Sequence, residues 1–95
     1  MAVSIDLKGK RGVIWGVANQ RSIAWAISER LAEAGAELAF TYLNERLKEP
    51  VEKATAGLDN PILLECDATN DEQVQGVYDR IKEEWGEIDF VVHCI

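Results

Sequence analysis

Cysteine and histidine are nearly absent: the 95 residues hold two of the first and one of the second. Two thiols are too few for a disulfide framework, and Cys66 and Cys94 lack the C-x-x-C spacing of zinc and redox motifs. Both are expected to stay buried and reduced. His93 stands alone beside an apolar run and reads as a structural residue, neither a base nor a ligand. No apolar run approaches the roughly 18 residues a membrane span requires, and the start MAVSIDLKGK lacks the basic-then-apolar layout of a secretion signal. The default expectation is a cytoplasmic protein with no membrane partner. Positive charge is scarce too: 10 Lys and Arg against 17 Asp and Glu give a formal net charge of −7, which argues against a nucleic-acid surface. An anionic ligand must therefore be met locally, as backbone N–H groups at a helix N-terminus can do without net positive charge.

What is present is the composition of a soluble globular domain, 47% apolar and 28% charged, at a length that allows one small domain or a piece of one. Gly12 to Gly16 (GVIWG) is a short apolar run suited to a strand buried on both faces. From Ser22 to Ala34, Ile23, Ile27, Leu31 and Ala34 recur at helical spacing, and Gly35 follows where a left-handed cap is wanted. Glu37 to Tyr42 reads as a second strand, and Leu47, Val51, Ala54 and Leu58 fall on one helical face after it. Pro50 either kinks that helix or lies in the first turn of a segment starting near Glu49, with residues 44 to 48 as a separate turn. Ile62 to Cys66 is a third strand. Thr69 to Glu72 has the pattern of a capping box for a helix striped by Val74, Val77, Tyr78, Ile81 and Trp85 and stopped by Gly86. Asp89 to Ile95 is a fourth strand.

Apolar strands alternating with helices call for an α/β fold, a doubly wound parallel sheet with strand order 3-2-1-4 and three helices on its two faces. That order sets Cys66 and Cys94 three strand spacings apart, about 14 Å, beyond the roughly 7 Å that a disulfide tolerates between Cα atoms. In such a sheet the ligand crevice lies beyond the carboxyl ends of the strands, where the order reverses between strands one and four.

The first of those ends is the informative one. After Gly16 no glycine occurs until Gly35, so the common G-x-G-x-x-G dinucleotide fingerprint is missing. Gly16 still permits a turn that a side chain would block, and Ser22 and Ile23 put a hydroxyl and free N–H groups at the positive end of the first helix, where a pyrophosphate would sit. The plain alternative is a strand-to-helix connection in which Ser22 is only an N-cap. The acid expected about 20 residues after the glycine motif to hold a ribose is not at the tip of strand two, where Tyr42-Leu43-Asn44 stands. No basic residue occupies 43 or 44 to meet a 2′-phosphate, which favours NAD, while Arg46 and Lys48 keep the NADP option open. Asp67 is placed to accept from an adenine amino group and the Ala68 N–H to donate to the ring, or else Asp67 is a helix-entry acid.

Taken together, Gly16-x5-Ser22-x-Ala24, Ala36-Glu37-Leu38-Ala39-Phe40-Thr41-Tyr42, Glu65-Cys66-Asp67 and Val92-His93-Cys94-Ile95 resemble the enoyl-acyl-carrier-protein reductases of bacterial fatty acid synthesis. These are divergent members of the short-chain dehydrogenase/reductase superfamily. The resemblance implies that Gly16, Ser22 and Ile23 bind the pyrophosphate and its neighbouring ribose of NAD, that Leu43 flanks the adenosine ribose, that Asp67 and Ala68 hold the adenine, and that Ile95 contacts the nicotinamide-side ribose. Leu43 departs from relatives that carry glutamine there, so a side-chain hydrogen bond is lost. It also implies NADH as reductant, an enoyl thioester on acyl carrier protein as partner, and a homotetramer. The family's catalytic tyrosine and lysine, as Tyr-x6-Lys, are expected beyond Ile95, since Tyr42 is followed seven positions on by Glu49 and Tyr78 by Trp85. Residues 1–95 are accordingly expected to be the N-terminal half of one dinucleotide-binding domain, inactive alone. The alternatives are a fragment of a carbonyl-reducing relative, or a self-contained, non-catalytic nucleotide-binding module.

Overall fold

The computed structural model describes residues 6–94, so Ile95, one of the expected cofactor contacts, lies outside the described residues. The chain runs β1 (Arg11–Trp15), α1 (Ile23–Glu33), β2 (Glu37–Tyr42), a 3-10 turn (Glu45–Leu47), α2 (Lys48–Thr55), β3 (Ile62–Glu65), α3 (Asp71–Trp85) and β4 (Phe90–His93). Every strand pairing is parallel and the order is β3-β2-β1-β4, the doubly wound arrangement that the alternation predicts.

β1 shows why its run is apolar throughout. It pairs with β2 on one edge and β4 on the other, and its side chains alternate between two cores. Ile14 joins Leu38, Phe40, Trp25 and Val51 on the face covered by α1 and α2, whereas Val13 and Trp15 join Ala39, Val77 and Ile81 beneath α3. At the amino ends of the strands, Arg11 ties the layers together. Its Nε lies 2.6 Å from the Glu37 carboxylate on β2, its Nη1 donates to the Trp85 carbonyl at the end of α3 (2.9 Å), and its guanidinium sits 5.7 Å from the centre of the Trp85 ring. The Arg11 N–H donates to the Asp89 carboxylate (2.9 Å) and the Arg11 carbonyl accepts from the Asp89 N–H (2.7 Å), fixing the entry to β4.

The helix ends follow from local chemistry. Ser22 caps α1, and Gly35, at φ +102°, closes it: the Gly35 N–H donates to Ala32 and the Ala36 N–H to Leu31, which satisfies two terminal carbonyls. Pro50 is the third residue of α2, within the first turn where its missing N–H has no intrahelical partner to lose, and the preceding 3-10 turn is the separate turn offered as one alternative.

Three expectations are corrected. The buried side of α1 is Ala24, Trp25 and Ser28, with Leu31 and Ala32 packed beside them, while Ile23 is 76% exposed. Ser28 misleads a hydrophobic-pattern reading because its hydroxyl donates to the Ala24 carbonyl (2.7 Å), which hides its polarity inside the helix and lets it face the sheet. The cap of α3 is displaced by one residue: Asn70, not Thr69, accepts from the Gln73 N–H (3.1 Å). Gln73 then reaches back to the Asp67 N–H (2.7 Å) rather than to the cap residue, so Thr69 and Glu72 form no reciprocal pair. Cys66 and Cys94 are both free, as expected of residues at opposite sides of the sheet, but only Cys66 is buried: Cys94, just past the edge strand β4, is half-buried, against the expectation.

The rotation of α1 sets a stability contrast. Ile14→Ala, at a fully buried position, is expected to cost about 2–5 kcal/mol, and Ile23→Ala less than about 0.5 kcal/mol. Urea unfolding followed by tryptophan fluorescence measures both; a comparable loss at Ile23 would place the wrong face of α1 inward.

Candidate functional site

The carboxyl ends of the strands gather most of the sequence-derived candidates. Gly16 has φ +96°, a conformation that side chains rarely tolerate, and a Cβ built on it would lie 2.6 Å from the Cys94 carbonyl oxygen. The β1–α1 loop therefore leaves the sheet pressed against the end of β4, at the point where strand order reverses. Beyond Gly16 the loop is folded on itself: the Arg21 N–H donates to the Asn19 side chain (2.7 Å), and the Ser22 N–H and hydroxyl both donate to the Asn19 carbonyl (3.2 and 2.9 Å).

That arrangement divides the labour at the start of α1. The Ser22 hydroxyl is used within the loop, donating to Asn19 and accepting from the Trp25 N–H (3.3 Å). Its donor is thus not directed at a ligand. Among the described residues, the Ile23 and Ala24 N–H groups have no partner, so they are the donors left at the positive end of α1. An anion placed there meets backbone dipoles and no carboxylate, because the first turn of α1 contains no acid.

Gly16, Leu43, Asp67 and Ala68 line one cleft of about 270 Å³, together with Thr41, Cys66 and Thr69. Asp67, two residues past the end of β3, sits in a tight turn: its Oδ1 accepts from the Thr69 hydroxyl (2.7 Å) and the Thr69 N–H (2.9 Å). These two bonds, the hydroxyl's the larger, hold its carboxyl below the usual aspartate range. The second oxygen, Oδ2, and the Ala68 N–H are unpartnered among the described residues, leaving an acceptor beside a donor at the cleft edge. A planar ring with an amino group next to a ring nitrogen has the complementary order. Leu43 is 54% exposed and offers apolar surface opposite. Cys66, on the cleft floor, has its thiol pushed up by burial and then by the Asp67 charge, so it remains a neutral packing group.

Thr41, Cys66 and Thr69 are cleft residues that the sequence did not mark as binding candidates. Thr41 carries the one readable signal, a hydroxyl inside an apolar strand, and it is 2% exposed. Ser22 and Ile23 border the same strand ends without lining the cleft. His93 is exposed on β4 beside Trp15, and the Tyr78 hydroxyl accepts from the Trp15 Nε1 (3.3 Å), a packing role. Burial raises the Tyr42 pKa first of all, with Lys48 pulling the other way, so its phenol stays protonated. Among the described residues no group of histidine, cysteine and acid side chains is arranged to hold a metal ion.

The Asp67 turn titrates in a defined direction. Its folded pKa is depressed, so its contribution to stability is complete above the unfolded value, ~3.9, and is lost as pH falls through the lower folded value. Thr69→Val, which removes the hydroxyl donor, is expected to move the Asp67 midpoint up toward ordinary; carboxyl-carbon NMR titration reads it, and an unmoved midpoint refutes the assignment.

This geometry has clear relatives. Residues 16–95 match the family described as Enoyl-(Acyl carrier protein) reductase. The Enoyl-[acyl-carrier-protein] reductase [NADH] 2 of Rhizobium meliloti (strain 1021) is 52% identical over 89 residues, covering 94% of this chain and 33% of that protein. The crystal structure of the Bacillus cereus enoyl-acyl carrier protein reductase with NADP+ and indole naphthyridinone superposes with a TM-score of 0.90 at 47% identity, over 96% of this chain and 36% of the other. That of the Anaplasma phagocytophilum reductase in complex with NAD gives 0.89 at 40% identity, over 100% and 36%. The chain spans about a third of the length of the curated relatives it matches. With the glycine-poor first loop, the 3-2-1-4 sheet and these matches in agreement, the chain belongs to the enoyl-[acyl-carrier-protein] reductase family.

Proposed function

We propose that these residues are the cofactor-binding part of an NADH-dependent enoyl-[acyl-carrier-protein] reductase of fatty acid synthesis. The observation that carries this reading is that Gly16, Leu43, Asp67 and Ala68 line one cleft at the carboxyl ends of the strands with the Asp67 Oδ2 and the Ala68 N–H unpartnered, while the Ile23 and Ala24 N–H groups at the start of α1 have no partner either. The Ile23 and Ala24 pair suits a pyrophosphate and the Asp67 and Ala68 pair an adenine edge, with Leu43 against the ribose between them. Ser22 acts by holding the loop through Asn19 and capping α1 through the Trp25 N–H. Ile95, which lies outside the described residues, is assigned on the family resemblance to the nicotinamide-side ribose. NADH, when bound, supplies a hydride to the β-carbon of a trans-2-enoyl thioester carried on acyl carrier protein. The preference for NAD rests on the tip of β2, where Leu43 and Asn44 offer no cation.

The catalytic tyrosine and lysine of the family are assigned to sequence beyond Ile95, which makes residues 1–95 a part of one dinucleotide-binding domain and inactive as they stand. A cytoplasmic homotetramer is proposed for the complete enzyme. The absence of any helix, among the described residues, long and apolar enough to cross a membrane is compatible with that.

Ser22→Asp keeps an N-cap oxygen while putting a negative charge where the pyrophosphate would lie. It is expected to weaken NADH binding by about tenfold or more, with the helical circular dichroism unchanged; equal affinity in wild type and variant refutes the loop assignment. Enoyl reductase turnover above background by the 95-residue chain would refute its inactivity.

A further inference from the structure

Among the described residues the buried serine and threonine side chains are Ser28, Thr41 and Thr55. Two of them satisfy their hydroxyl inside their own helix, Ser28 donating to the Ala24 carbonyl (2.7 Å) and Thr55 to the Val51 carbonyl (2.9 Å). Thr41 has no such outlet. It stands in β2, where side chains project from the sheet and the backbone is committed to β1 on one edge and β3 on the other. Its register partners are Trp15 and Leu64, and the one polar atom of the Trp15 side chain, Nε1, is spent on the Tyr78 hydroxyl (3.3 Å). The Thr41 hydroxyl is thus left without a partner among the described residues, on a side chain 2% exposed. Yet no described side-chain oxygen or nitrogen that is sealed from solvent lacks a partner. The Thr41 oxygen therefore keeps a narrow opening, and the space it opens into is the cleft of about 270 Å³ that Thr41 lines with Leu43, Asp67 and Ala68.

A hydroxyl held in that way costs the fold a hydrogen bond unless a ligand supplies one. The groups at the cleft edge say what the ligand still needs. The Asp67 Oδ2 and the Ala68 N–H stand as an acceptor beside a donor. Adenine answers them with its amino group and N1, but cytosine presents the same order with its amino group and N3. That edge alone does not separate a purine from a pyrimidine. A contact away from it does, because only a purine carries a second ring with nitrogen acceptors of its own. Thr41 belongs to β2, one strand over from the turn that holds Asp67 and Ala68, so its hydroxyl meets a bound base from another side. We infer that the Thr41 hydroxyl donates to a ring nitrogen of the purine, and that this residue makes the cleft choose adenine over a pyrimidine. This rests on the dinucleotide reading above. The cleft volume agrees, since it falls below the roughly 300–1,000 Å³ of pockets that enclose a whole drug-sized ligand and suits a single base.

The test is calorimetric titration of the 95-residue chain with NADH, 5′-AMP, 5′-CMP and the 3-deaza and 7-deaza analogues of 5′-AMP, in wild type, Thr41→Val and Thr41→Ser, with urea unfolding of each. Thr41→Val keeps nearly the same shape and removes the hydroxyl. It is expected to weaken 5′-AMP and NADH by about three- to tenfold and 5′-CMP not at all, while its urea midpoint stays level or rises, a combination that a packing role does not produce. Thr41→Ser retains the donor and is expected to retain the wild-type preference for 5′-AMP over 5′-CMP. One deaza analogue should bind wild type as weakly as 5′-AMP binds Thr41→Val, which identifies the accepting nitrogen. An AMP-to-CMP ratio unchanged in Thr41→Val, or both deaza analogues binding wild type as tightly as 5′-AMP, overturns the inference and leaves the dinucleotide reading intact. So does a ratio lost equally in Thr41→Ser, which would make the side chain's shape the determinant. If a folded chain binds neither NADH nor 5′-AMP, the dinucleotide reading itself fails and the inference falls with it.

Discussion

β1 is the constraint on which the rest of the structure depends. Like β2 it is paired on both edges and feeds both hydrophobic cores, but it also stands where the strand order reverses, between β2 and β4, so its carboxyl end fixes where the first loop starts. A parallel strand in that position cannot turn straight back. It has to cross over through a helix to reach β2, and β4 has to arrive on its other side after two further crossovers. The crevice at the carboxyl end is a by-product of that winding, opened where the crossovers diverge to opposite faces of the sheet. Gly16 belongs to the same constraint, since only a residue without Cβ passes between the end of β1 and the Cys94 carbonyl at its positive φ.

The two ends of the strands do different work. At the amino ends, Arg11 spends its hydrogen-bonding capacity on Glu37 and the Trp85 carbonyl and stacks on the Trp85 ring, which joins two strands to the last turn of α3. At the carboxyl ends the polar groups are left incompletely used: two N–H groups at the start of α1, one oxygen of Asp67, the N–H of Ala68. Ile23 is exposed and Asp67 and Ala68 are partly exposed, so water can replace their missing partners at little cost, and such groups become binding groups when a ligand displaces that water. An acidic protein can in this way present an anion site made from backbone.

Much of this was legible before any coordinates. The apolar runs of β1 and β2, the glycine after α1 and the acids opening α3 each have a single local physical cause, so their elements fall where composition and spacing put them. Pro50 was legible as a choice of two, and the 3-10 turn before it decided the choice. The misreadings of the helices came from polar side chains whose partners were not local in the expected way. Ser28 hides its hydroxyl in its own helix, and Gln73 spends its amide oxygen on Asp67 rather than on its cap residue. Of the candidate site, Gly16, Leu43, Asp67 and Ala68 were named and share a cleft, whereas Thr41, Cys66 and Thr69 emerged only when segments distant in sequence were brought together.

Sequence by itself determined the layer order, the strand count, the free thiols and the family, because these rest on periodicity, on glycine and cap chemistry, and on the signature of one loop, all of which act over a few residues. Tertiary structure decided which face of α1 is buried, that the Ser22 hydroxyl serves the loop instead of a ligand, and that Thr41 lines the cleft. Those outcomes depend on how helices rotate onto the sheet and on which donors find partners across it. Pair geometry of that kind exists only once the chain is packed.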